Sequence, residues 1–130
     1  MKFTNLFKKN KTPNYFNLLK NKKLLIAREP ELVQQPSCPD SEELTGCGLG
    51  LSDNYRLSIN NKYSLVNANE LKDFIGEKVK NIIFNKFDIS FNFTNDKKII
   101  VSIKDEDWEG PEAMVLYHGD KDIYVFRGEE

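Results

Sequence analysis

Phe87, Ile89, Phe91 and Phe93 alternate with Asp88, Ser90 and Asn92, and a period of two is the mark of a strand with one apolar and one wet face. Such a strand needs neighbours to cover it, so it demands a sheet. The flanking sequence supplies one. Asn95-Asp96-Lys97 turns the chain back into the apolar run Ile99–Ile103, and Met114–Tyr117 with Ile123–Phe126 reads as a hairpin about His118-Gly119-Asp120. Upstream, Tyr55–Ile59 and Lys62–Val66 read as another hairpin, closed by Asn60-Asn61, residues that tolerate positive φ. Val79–Phe84 is a further strand.

Two short helices are expected. Pro13 suits the first turn of a helix running to Lys20, with Phe16 and Leu19 three apart. Asn67 or Asn69 can cap a second, which sets Ala68, Leu71, Phe74 and Ile75 on one face and stops at Gly76. The predicted class is therefore α+β: a mainly antiparallel sheet of about five to six strands with one or two helices. No internal repeat is legible. Residues 1–53 form a weakly patterned part, a basic arm, a short helix and a Pro/Gly-rich loop, and residues 54–130 a β-rich part. At 130 residues the two belong to one domain.

Charge divides the chain more sharply than hydropathy does. Residues 1–30 carry eight basic side chains against Glu29 alone, whereas the rest carries eleven basic and nineteen acidic. Such asymmetry marks either an arm for nucleic acid or an anionic membrane, or a solvated tail that offsets its own domain. The longest apolar run near the start, Leu24–Ala27, is too short for a secretory core, and nothing approaches the roughly 20 apolar residues of a membrane helix. A cytoplasmic chain is expected, with Cys38 and Cys47 as free thiols. Abundant Asn, Lys and Ile suggest an AT-rich bacterial source.

The richest chemical cluster is Asp105-Glu106-Asp107-Trp108-Glu109-Gly110-Pro111-Glu112. Asp105, Asp107, Glu109 and Gly110 fall on the first, third, fifth and sixth places of a calcium loop, but the twelfth, which needs a bidentate Glu, is Leu116. Carboxylates crowded into one turn also seldom face each other across the roughly 5–10 Å cleft of a glycosidase. One His and two Cys do not make an ordinary zinc site. His118 sits alone at a turn, and Gly46–Gly50 (GCGLG) lacks the Lys and Ser/Thr of a phosphate loop. No cofactor, metal or catalytic set is expected.

Two readings of the acidic turn stay open. It is either a corner at which Trp108 covers the sheet edge, or a docking surface. From Lys104 to Glu130 nine acidic side chains face three basic ones, a patch that speeds encounter with a basic partner and repels phosphates. Asp105, Glu106, Asp107, Trp108, Glu109 and Glu112 would then carry the interaction, with Trp108 as anchor.

The segment Ile100-Val101-Ser102-Ile103-x-Asp105-Glu106-Asp107-Trp108-x-Gly110-Pro111-Glu112-Ala113 resembles a V-S-L-x-x-E-D-aromatic-x-G-P-E-A stretch of small uncharacterised bacterial β-domain proteins. The resemblance covers about a quarter of the chain and implies a non-enzymatic binding protein, in some cases an immunity protein that masks a basic toxin. The alternative expectation is a small-ligand or carbohydrate-binding module with its pocket between the sheet and the 29–53 loop.

Overall fold

The computed structural model describes residues 14–30, 32–35, 38–44, 46–104, 114–120 and 122–126. Their extended segments, in chain order, are β1 (Leu24–Arg28), β2 (Leu32–Gln35), β3 (Cys38–Leu44), β4 (Cys47–Leu51), β5 (Tyr55–Ile59), β6 (Tyr63–Val66), β7 (Val79–Phe84), β8 (Asp88–Phe93), β9 (Lys98–Ser102), β10 (Met114–His118) and β11 (Asp122–Phe126). They form a five-stranded sheet in the order β1-β4-β5-β10-β11, a four-stranded sheet in the order β6-β9-β8-β7, and the β2–β3 pair. All strand pairs are antiparallel.

The α+β expectation is overturned, and the fold is an all-antiparallel β-sandwich. The helical segments among the described residues are 3-10 turns, the longest being Asn14–Leu19. The second predicted helix shrinks to Leu71–Phe74, because Asn67 and Gly76 take left-handed backbone on either side and Ile75 is already extended. Only Leu71 and Phe74 of its expected apolar face are fully buried. So short a segment has no helical stability of its own. It is held by the Asp73 carboxylate, which accepts the Asn69 and Glu70 amides and stays well below the ordinary aspartate range for that reason.

The predicted Tyr55–Val66 hairpin is also corrected. β5 pairs with β4 and β10, whereas β6 pairs with β9 in the opposite sheet. Asn60-Asn61-Lys62 is therefore a crossing between layers. The 29–53 loop likewise contains β2, β3 and β4.

Alternation decides which side chains enter the core. Cys47, Leu49 and Leu51 of β4, Tyr55, Leu57 and Ile59 of β5, and Ile89, Phe91 and Phe93 of β8 point inward, joining Ile99, Val101, Met114 and Leu116 in one cluster. Phe87 leaves the pattern: it is half-exposed and lies under the Lys86 and Lys104 ammonium groups. Phe16, from the first 3-10 turn, packs edge-on against Phe91 of one sheet and Phe126 of the other. Beside it Tyr15 stacks on Tyr124 and donates to the Val125 carbonyl at 3.3 Å. The outer edge of β11 is thus partly covered, which guards against strand addition there.

A pseudo-two-fold relates the halves. A single bridge joins Lys23 to Lys78, and around it the bonds come in matched pairs. Leu24 N–H donates to the Glu77 carbonyl as Val79 N–H does to that of Lys22; Asn21 N–H donates to Val79 as Gly76 N–H does to Leu24. The Ser52 hydroxyl accepts from the Lys23 amide as Thr94 does from Lys78. Both 3-10 turns, both bulges (after Leu24 and after Val79) and both left-handed Asx turns (Asp53-Asn54 and Asn95-Asp96) recur in register. The repeat lies in backbone and burial: Phe16 and Leu19 correspond to Leu71 and Phe74. Each half sends a strand into the other's sheet, β6 onto β9 and β10 onto β5.

Candidate functional site: a cavity where the chain changes sheets

The crossing from β5 to β6 creates the site. To leave one sheet and enter the other within three residues, Asn60-Asn61-Lys62 must pass close to the start of β4. Gly46 makes that possible: a Cβ there would stand 2.5 Å from the Ile59 carbonyl oxygen and closer still to Asn60 Oδ1. The tight pass leaves a gap beyond it. The result is a cavity of about 600 Å3, walled by Ile59, Tyr63, Leu65 and Ala68 on one side and by Pro30, Gly46 and Cys47 on the other. That size falls within the range of small-ligand sites, and so does the character of the lining, apolar with a few polar groups.

Asn61 is the polar group that sets the chemistry. Only 5% of it is exposed, and it lines the cavity. Its Nδ2 donates to the Ser102 carbonyl at 2.7 Å, which orients the amide, because turning it over would set two oxygens against each other. Among the described residues its Oδ1 has no hydrogen-bond partner. A buried acceptor without a donor costs about 1–3 kcal/mol, and buried polar groups are nearly always satisfied.

Cys47 and Tyr63 both line the cavity, and the two groups influence each other's titration. Burial pushes the Cys47 thiol up to about 12 and raises the Tyr63 phenol as well. Cys47 is therefore a neutral thiol at physiological pH and no nucleophile. It is unpaired, in line with the free-thiol expectation for that residue. Nearby, Glu29 accepts the Leu71 amide at 2.7 Å, which ties the end of β1 to the second 3-10 turn.

The residues singled out from the sequence fare differently. The acidic turn, Asp105, Glu106, Asp107, Trp108, Glu109 and Glu112, lies outside the described residues, in the connection from β9 to β10. His118 ends β10, where its ring stacks on Tyr55 at 4.1 Å between ring centres, with Nδ1 3.9 Å from Asp122. Lys22 lies over the same Tyr55 ring and pairs with Asp53, which lowers the carboxyl and raises the ammonium. This is a closed stack of paired groups. Among the described residues no three His, Cys, Asp or Glu side chains come together as a metal site, and no helix is long and apolar enough to cross a membrane.

Asn61 escaped the sequence reading because an Asn pair between two apolar runs is also the signal of a hairpin turn. The glycine-rich GCGLG was set aside as a failed phosphate loop; it is strand β4 with its entry residue. No protein-family model, curated protein or solved structure matches the chain.

Proposed function

We propose that this chain is a non-catalytic binding protein whose ligand site is the cavity beside Asn61. The observation that carries the reading is Asn61, a buried amide in the lining of an open, mainly apolar pocket, whose Oδ1 has no hydrogen-bond partner among the described residues. The chemistry of the ligand follows: a compact, largely apolar molecule that presents an N–H or O–H donor to that oxygen. The thiol and phenol in the wall are both held protonated, and Lys62 is the charged residue of the lining. A thermal-shift comparison of benzamide with N,N-dimethylbenzamide tests it. Both have the apolar body, and only the first can donate. A shift with benzamide alone supports the reading, because a ligand that binds only the native state raises its melting point. Equal shifts, or none with either compound at millimolar concentration, contradict it.

A second reading keeps the acidic turn as a docking surface for a basic protein, the immunity-type role among them. One observation favours it. The β5-to-β6 crossing needs only Asn60–Lys62, whereas its pseudo-symmetric counterpart, β9 to β10, spends residues 103–113 on the same task. The extra length carries the acidic cluster. Pull-down from host lysate with Asp105→Asn, Asp107→Asn and Glu109→Gln combined tests this; unchanged partner recovery removes the acidic turn.

A further inference from the structure

The outward face of the five-stranded sheet lies apart from the cavity beside Asn61. The register places side chains of that face in two rows across the strands. One row runs Ile26, Gly50, Arg56, Tyr117, Ile123; the next runs Arg28, Gly48, Ser58, Val115, Val125. Both rows have glycine where they cross β4. The backbone of β4 is therefore bare on this side and floors an open trough of about 890 Å3, with Ile26 and Arg28 on one wall and Arg56 and Ser58 on the other.

Both glycines have ordinary strand backbone, unlike Gly76 and Gly119. A Cβ on Gly48 would stand 3.0 Å from the flexible Arg28 guanidinium, and one on Gly50 would stand 3.3 Å from Ile26 Cβ, so side chains of β1 lean over both. Glycine in a strand interior weakens it and marks a place where another chain or ligand comes close to the backbone.

The walls give the chemistry of what approaches. Arg56 is held over the Tyr117 ring at 4.7 Å and Arg28 donates to the Gly46 carbonyl at 3.0 Å, so both guanidinium groups are positioned in advance. Among the described residues neither has a carboxylate partner. Ile26 and Ile123 are 66% and 62% exposed at the two ends of their row. Arg and Tyr beside exposed apolar groups are the composition of a protein-binding surface. A phosphate polymer is disfavoured, because residues 31–130 carry eleven basic against nineteen acidic side chains.

We infer that the glycine trough receives an extended acidic segment of another protein, about five residues long to match the length of β4, with its carboxylates taken by Arg28 and Arg56. Fluorescence anisotropy with labelled Glu-Val-Glu-Val-Glu, its Lys-Val-Lys-Val-Lys counterpart and a 20-nucleotide single strand tests this on the full chain. The acidic peptide is expected to bind about tenfold tighter than the basic one, with an affinity that falls as salt rises. Gly48→Val, which fills the trough, and the double variant Arg28→Gln/Arg56→Gln, which keeps it open, should each lose about tenfold while melting within a few degrees of the parent. Acidic-peptide binding that is absent at millimolar protein, or unchanged in either variant, overturns the inference. So does a single strand that binds as tightly as the acidic peptide.

Discussion

Asn61 Nδ2 donates to the Ser102 carbonyl at 2.7 Å, and among the described residues that one bond leaves Asn61 Oδ1 with no donor. The residue bridges β5 and β9, so the same side chain that fixes the crossing carries the buried, unpaired acceptor. Removing it should cost little. Asn61→Ala loses a bond worth about 1 kcal/mol and is relieved of an unsatisfied oxygen of similar cost, so urea denaturation is expected to give a change below about 1 kcal/mol. A loss of 3 kcal/mol would mean that the oxygen is satisfied in solution.

Gly46 and Gly48 stand two residues apart and should respond to alanine to very different degrees. A Cβ at Gly46 runs into the Ile59 carbonyl and Asn60, which are backbone and a packed amide; at Gly48 it meets a flexible guanidinium tip. Gly46→Ala is expected to destabilise by about 1–3 kcal/mol, the usual cost of forced overpacking, and Gly48→Ala by well under 1 kcal/mol. Thermal melts of the two variants decide it.

Glu77 is the hub of the second half. Its carboxylate accepts from the Thr94 hydroxyl, from Asn95 Nδ2 at 2.9 and 3.0 Å, and from Lys97 Nζ at 3.0 Å, which together hold it at about 2 instead of near 4.5. A carboxyl depressed in the folded state stabilises the fold above its ordinary value and loses that stabilisation as pH falls through the depressed one. Stability should therefore decline between about pH 4.5 and 2. Glu77→Gln should lower it by about 1–3 kcal/mol at pH 7 and flatten that part of the curve. Urea melts over the acid range read both.

Cys47, buried and protonated, should react slowly. In a Cys38→Ser background, modification by a disulfide reagent at pH 8 is expected to follow unfolding, and to become fast in denaturant. Rapid reaction under native conditions would place the thiol at the surface.

Much of the sheet was legible because alternation reports burial directly. Val79–Phe84 and Tyr55–Ile59 coincide with β7 and β5, and the β8–β9 and β10–β11 turns fall where Asn95 and Gly119 put them. β4 was hidden because its outward positions are glycine, so the text reads as loop while Cys47, Leu49 and Leu51 fill the core. The helix at 67–76 failed because spacing of Leu71 and Phe74 serves a 3-10 turn as well as an α-helix. The duplication escaped because only contacts and burial repeat: Lys22 pairs with Asp53 in one half where Glu77 binds Asn95 in the other. Of the sites, the alternative expectation of a pocket between the sheet and the 29–53 loop corresponds in place to the cavity walled by Pro30, Gly46 and Cys47, though nothing in the text marked Asn61 as its polar group.

Whether Asn61 Oδ1 takes a donor from a ligand is read most directly from the side-chain amide of Asn61 itself. In a 15N-labelled sample, the Asn61 NH2 resonances, assigned by their loss in Asn61→Ala, should shift on addition of benzamide and stay in place with N,N-dimethylbenzamide. Movement with both compounds, or with neither, would contradict the account.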